Sequence, residues 1–308
     1  MANGRVISLD SGVYKVLTED GKEILLKARG KLRNITISKD SSFNRNLNKH
    51  SNKKDVYQTK LSPKVGDEVT YLIKDDTYYL DTILPRKNEL IRPDIANVDQ
   101  ILLIFSAKRP DMSYFLLDLF LTNLEYNHIK PLIIISKIDL MTDEELNELK
   151  ENLKYYEEIG YNMFFNNSKL GIPDGIIPLL KDKITVLSGQ TGAGKSTFIN
   201  ALIPGFKLET NDISEALNRG KHTTRRIHLY PYFEGLIGDT PGFSKLELVV
   251  KKDELSATFV EFKNCKCRFR DCKHLANSQG CMVKEEVGKT IKKSRYENYL
   301  KMYESLDR

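Results

Sequence analysis

Ile184-Thr185-Val186-Leu187-Ser188-Gly189-Gln190-Thr191-Gly192-Ala193-Gly194-Lys195-Ser196 joins a strand to a helix through a glycine-rich turn. An apolar run of strand length, Ile184 to Ser188, passes into a glycine-rich turn, and an apolar helix begins near Ser196. The turn satisfies G-x-x-x-x-G-K-[ST] between a strand and a helix, the context a phosphate loop requires. Its glycines let successive backbone N–H groups turn inward around phosphate oxygens, and the helix N-terminus adds its partial positive charge. Lys195 then reaches the β and γ phosphates, and Ser196 offers its hydroxyl to Mg²⁺. Gly189, Gln190, Thr191, Gly192, Ala193, Gly194, Lys195, Ser196 and Thr197 are therefore expected to bind a nucleotide, with Lys195 also stabilising charge during phosphoryl transfer.

Around this loop strands alternate with helices. Val98–Phe105, Pro131–Ser136, Tyr161–Phe165 and Gly235–Gly238 read as strands, Ser113–Tyr126 and Asp143–Glu158 as helices. That alternation predicts a mostly parallel sheet covered by helices. Asp239-Thr240-Pro241-Gly242 follows a strand, so Asp239 is placed to hold Mg²⁺ through water and Gly242 to offer its N–H to a γ phosphate. In the polar stretch Gly220 to Arg226 a threonine hydroxyl completes the metal shell, Thr224 by preference and Thr223 as the fallback. Ser136-Lys137-Ile138-Asp139 lies at a strand end, where Asp139 accepts from N1–H and N2–H₂ of guanine while Lys137 lies along the ring face. Adenine offers neither donor, and a buried carboxylate left unpaired discriminates by about 10⁴. The usual motif is N-K-x-D, so Ser136 stands where an asparagine is common. Asn167-Ser168-Lys169 is similar to the remaining base-contacting loop, which makes Ser168 a further candidate.

The flanks differ in kind. Up to Arg86 the chain shows short alternating runs, Arg5–Leu9, Tyr14–Thr18, Glu23–Lys27, Glu68–Ile73 and Tyr78–Ile83, punctuated by turn residues. About five antiparallel strands in a small OB-like barrel fit this pattern. Ser38–Lys60 interrupts it with six Lys or Arg against two Asp, and reads as a solvated loop or as a basic arm that orders on RNA. Beyond residue 250 all four cysteines fall between Cys265 and Cys281, and a closing helix is expected over Lys289–Leu306. Cys267, Cys272, His274 and Cys281 supply three thiolates and an imidazole, the closed donor set of a structural zinc site, with Cys265 as an alternative ligand.

With 308 residues, of which 40% are hydrophobic and 29% charged, the chain is too long for one small binding module and too apolar for wholesale disorder. The net charge of +6 permits an acidic partner such as nucleic acid without demanding one. The longest apolar runs, Ile101–Phe105 and Leu132–Ile135, are strand-sized, so neither a membrane span nor a signal peptide is expected. Cysteines clustered for one metal site imply a reducing compartment, and the cytoplasm is the expected location.

The base-reading motif at 136–139 precedes the phosphate loop at 189–196, the reverse of the ordinary GTPase order. This circularly permuted order, the barrel in front and the Cys/His cluster behind resemble the RsgA/YjeQ family of bacterial GTPases acting in small ribosomal subunit assembly. Ala28-Arg29-Gly30, Val65-Gly66-Asp67, Arg92-Pro93, Asn97 to Gln100, Gly220 to Arg225 and Asp239 to Phe243 carry the resemblance beside the phosphate loop. It implies a multidomain protein: an all-β OB-like barrel at 1–86, a circularly permuted α/β P-loop GTPase domain at 87–250 and a small zinc-binding helical module at 251–308. GTP and GDP, Mg²⁺ and one structural Zn²⁺ are the implied cofactors, and a monomer contacting the small ribosomal subunit (30S) and its rRNA the implied partnership. Phe243 stands where many GTPases carry the glutamine that orients the attacking water, and the resemblance implies His222 in that role. Two rivals are weighed against this reading. An ATP-using P-loop kinase needs a lid with catalytic arginines, for which Arg225 and Arg226 are candidates, and no guanine-reading carboxylate; an RNA-binding adaptor with a structural nucleotide shows no turnover.

Overall fold

The structure is a computed structural model and describes residues 2–10, 12–28, 35–38, 56–59, 62–90, 94–167, 170–203, 227–239 and 248–306. In chain order the strands are β1 (Ala2–Asp10), β2 (Val13–Thr18), β3 (Glu23–Ala28), β4 (Ile35–Ser38), β5 (Val56–Thr59), β6 (Glu68–Lys74), β7 (Thr77–Ile83), β8 (Glu89–Leu90), β9 (Ile95–Ala96), β10 (Gln100–Ser106), β11 (Lys130–Ser136), β12 (Asn162–Phe165), β13 (Ile184–Gly189), β14 (His228–Tyr232) and β15 (Gly235–Asp239). The helices are α1 (Tyr114–Tyr126), α2 (Asp143–Glu158), α3 (Lys195–Leu202), α4 (Met282–Glu286) and α5 (Lys293–Ser305). Two compact units result: 1–99 with 177–186 and 216–243, and 100–176 with 187–215 and 244–308.

The first unit holds the barrel. β1 pairs antiparallel with β2 and with β6, β2 with β3, and β6 with β7, while β3 runs parallel to β7 and closes the ring. Alternation along these strands sends Val6, Val16, Leu26, Val69 and Leu80 inward, all wholly buried. Where the chain leaves the barrel, the buried Arg86 grips Asp67 with two hydrogen bonds of 2.7 and 2.8 Å. Gly66 sits there at φ 90°, and a Cβ on it would lie 2.0 Å from the Ala96 carbonyl oxygen. β14 and β15 form a hairpin whose turn residues, Phe233 and Glu234, both have positive φ, the backbone of a tight hairpin turn. β4 and β5 form a separate two-stranded ribbon flanking the basic insertion, where the sequence reads as a solvated loop or a basic arm.

The second unit is layered. β10 and β11 run parallel in the register Gln100–Lys130 to Ser106–Ser136, and β12 continues the sheet parallel to β11. β10 is buried at every residue, as expected of a strand covered on both faces. α2 opens with a reciprocal capping box between Thr142 and Glu145. α1 carries buried residues around most of its circumference, Leu117, Asp118, Phe120, Leu121 and Leu124 among them. One side meets β11, and the other meets the C-terminal segment through a core that includes Phe259, Phe262, Val283, Tyr299 and Met302. The closing helix starts at Lys293, later than the expected Lys289, because Gly288 at φ 84° turns the chain and its N–H donates to the Ile291 carbonyl. No helix among the described residues is long and apolar enough to cross a membrane.

Candidate functional site

The turn between β13 and α3 has the backbone its glycines predict. Gly189, Gly192 and Gly194 have φ of 129°, 77° and 84°, where side chains with a Cβ are strained. At Gly189 space is also lacking: a Cβ would lie 2.0 Å from the Ile104 carbonyl oxygen of the neighbouring strand. Gln190 braces the loop against the end of β10. Its backbone N–H donates to Ile104 O at 3.0 Å, its Oε1 accepts from the Ser106 N–H at 3.3 Å, and its Nε2 donates to Asp111 O at 2.8 Å. Lys195, the first residue of α3, folds back over the loop and donates from Nζ to Gln190 O at 2.9 Å and Gly189 O at 3.2 Å. Ser196 follows it half-buried, and Thr197 is exposed. The charge on Lys195 beside the start of a helix is what an anion-binding turn provides.

The Ser136–Asp139 segment leaves β11 directly beside this loop. Ser136 is buried, and its Oγ donates to Ala193 O at 2.6 Å and to Phe105 O at 3.1 Å, so the short hydroxyl still braces the phosphate loop. Lys137 takes a left-handed backbone (φ 58°) and stretches its ammonium to Gly192 O at 2.6 Å and to Arg109 O. Asp139 sits in the single helical turn Ile138–Leu140 with its Oδ1 buried. Ser136, Lys137, Ala193, Gly194 and Thr197, with Asn166, Gly171, Phe198 and Ala201, line a cleft. Motifs separated by some fifty residues and reversed in order thus share one hollow. Asn166 is absent from the sequence reading; its position straight after β12, level with Ser136 at the end of β11, is the signal that finds it, since ligands of parallel sheets gather at carboxyl strand ends.

Ser168, Thr223, Thr224, His222, Gly242 and Phe243 lie outside the described residues. Asp239 is the last residue of β15, paired through its backbone with His228 in the hairpin.

The cysteine segment forms a second centre. The donor atoms of Cys267, Cys272, His274 and Cys281 all lie within 4.8 Å of one another, and Cys265 is not among them. A tetrahedral zinc with Zn–S of about 2.3 Å and Zn–N of about 2.0–2.1 Å spaces two sulfurs about 3.8 Å apart and a sulfur and a nitrogen about 3.6 Å apart. Here Cys267 and Cys281 are 3.9 Å apart, and His274 Nδ1 is 3.6 and 3.4 Å from their sulfurs. The donor set and its spacing fit zinc. The Met282 N–H donates to the Cys267 sulfur at 3.3 Å, the outer-shell support a thiolate ligand needs. Burial pushes the Cys281 thiol up to about 12 and the His274 imidazole below its usual value. A metal cation bound by such a thiol would displace its proton into solvent.

Comparison with known proteins adds to this geometry. The family model described as RsgA GTPase matches residues 83–249. The chain is 41% identical to the small ribosomal subunit biogenesis GTPase RsgA of Halalkalibacterium halodurans, over 99% of this chain and 97% of that protein. It is also 41% identical to the protein of the same name from Onion yellows phytoplasma, over 99% of this chain and 98% of that one. Among solved structures, YjeQ from Thermotoga maritima superposes with a TM-score of 0.80 at 33% identity, covering 99% of this chain and 98% of that one. YloQ, described as a circularly permuted GTPase, superposes with a TM-score of 0.76 at 34% identity, covering 100% and 95%.

Proposed function

The chain belongs to the RsgA GTPase family, and from that membership we propose that it hydrolyses GTP to GDP and phosphate in the cytoplasm during late assembly of the small ribosomal subunit. The observation that carries the reading is the reach of Lys137 from the base-reading strand end to Gly192 of the phosphate loop, which ties the two motifs into one cleft. Asp139 accepts from N1–H and N2–H₂ of guanine, Lys137 lies along the ring, and the loop around Ser168 completes the base contact. The loop of residues 189–194, with Thr197, surrounds the phosphates, and Lys195 turns from the loop carbonyls to the β and γ oxygens. The hydroxyls of Ser196 and Thr224, with Asp239 through water, would hold Mg²⁺, which when bound would supply positive charge to the same oxygens. Gly242 reads the γ phosphate with its N–H. His222 orients the attacking water, since Phe243 has no hydrogen-bonding group to do so.

The three-part division at residues 86 and 250 sets the cycle. The barrel and the Cys/His module, which would fold around one zinc, contact rRNA; the protein docks as a monomer in its GTP form, subunit contact stimulates hydrolysis through His222, and hydrolysis releases it. The names of the relatives support the subunit as partner. GTP turnover with and without purified small subunits, repeated with His222→Ala, tests the cycle. The subunit accelerates turnover by the full-length protein, and the substitution removes the acceleration; equal rates with and without subunits refute the coupling.

A further inference from the structure

Asn166 has no role in the function proposed above, yet it is 3% exposed, and its Oδ1 is buried with no hydrogen-bond partner among the described residues. Its place is informative. Ile135 and Phe165 are opposite one another on the parallel strands β11 and β12, and the Asn166 N–H donates to Ile135 O at 2.8 Å, so Asn166 and Ser136 leave the sheet side by side. Both line the cleft with Lys137, Gly194 and Thr197. Ser136 has a single hydroxyl proton, and both of its acceptors are backbone carbonyls, so none remains for a base. The carboxamide that N-K-x-D places at the end of β11 is missing there, and a buried carboxamide stands one strand away.

We infer that Asn166 is a guanine-reading residue, its carboxamide taking, just after β12, the part that an asparagine at position 136 takes in N-K-x-D. The inference rests on the base-reading role of Asp139. With N1–H and N2–H₂ on that carboxylate, the polar edge left on guanine is O6 and N7, both acceptors. The Asn166 carboxamide lines the cleft, and its N–H₂ donates to N7. A buried amide unmatched in the free protein and matched by ligand is a cost transferred into affinity.

The test uses the full-length protein and the affinities of GDP and 7-deaza-GDP, which lacks the N7 acceptor. Asn166→Ala weakens GDP binding about tenfold or more, while the thermal midpoint without nucleotide stays level or rises, because an unmatched buried polar group is removed. Wild type prefers GDP to 7-deaza-GDP by about tenfold, and the variant prefers neither. The double exchange Ser136→Asn with Asn166→Ser recovers GDP affinity. Wild-type GDP affinity in Asn166→Ala, or an unchanged preference over 7-deaza-GDP, overturns the inference. Asp139→Asn keeps the premise separate: if that variant fails to shift preference toward xanthosine diphosphate, the base reading itself has failed, and if it shifts while Asn166→Ala binds normally, only the role of Asn166 has.

Discussion

Arg295 to Met tests how the C-terminal segment is fastened to the nucleotide-binding unit. The guanidinium is wholly buried, donating from Nη1 to Asp118 Oδ1 and from Nε to Glu261 Oε1, both at 2.7 Å, and it stacks 4.5 Å from the Phe259 ring centre. Asp118, on α1, is also wholly buried and accepts from Asn298 Nδ2 at 2.7 Å and Tyr156 OH at 2.8 Å. Two charge-assisted hydrogen bonds contribute about 1.5–3 kcal/mol each, and removing one member of a buried ionic group costs about 3–5 kcal/mol because its partners stay buried and uncompensated. Methionine recovers part of the packing and none of the charge. A loss near 4 kcal/mol is therefore expected, read from guanidinium unfolding followed by tyrosine fluorescence. Asp118→Asn in the Arg295→Met background should recover part of that loss, because one stranded charge is gone. A single-variant loss below about 1 kcal/mol, or additive losses in the double variant, refutes the reasoning.

Other consequences are smaller or more local. One zinc per chain is expected by metal analysis after dialysis, retained in Cys265→Ala and lost in Cys281→Ala, with a chelator lowering the thermal midpoint of wild type. Gly189→Ala forces a Cβ to within 2.0 Å of Ile104 O at a positive φ and should cost more than about 2 kcal/mol while abolishing nucleotide binding, measured by thermal unfolding and titration. Ser136→Ala removes the 2.6 Å bond to Ala193 O and should destabilise by about 1 kcal/mol in the same unfolding assay.

Legibility in the sequence followed how local the physics was. The phosphate loop could be read because its conformation needs glycine at fixed spacing, and β10 and β11 because strands buried on both faces are apolar throughout. The β14–β15 hairpin was half missed: its turn is Phe233-Glu234 rather than the Asn-Gly that usually marks such a turn, and Pro231 interrupts the strand pattern. β4 and β5 were hidden by the basic composition around them. Asp118, Glu261 and Arg295 were invisible because isolated charges read as solvated surface, and only the meeting of three distant segments makes them core. Among the site residues, Lys137, Asp139 and the Cys3His set follow from motif spacing, whereas Asn166 needed the strand register.

The central claim is that the carboxylate after β11 and the lysine at the start of α3 act on one guanine nucleotide. Competitive titration of wild type and Asp139→Asn with GTP, XTP and ATP tests it most directly. Wild type should bind GTP in preference to the other two, and the variant should trade GTP for XTP by about a hundredfold or more, since a misplaced donor or acceptor leaves a buried group unpaired. Wild type binding ATP as well as GTP, or a variant with unchanged preference, would contradict it.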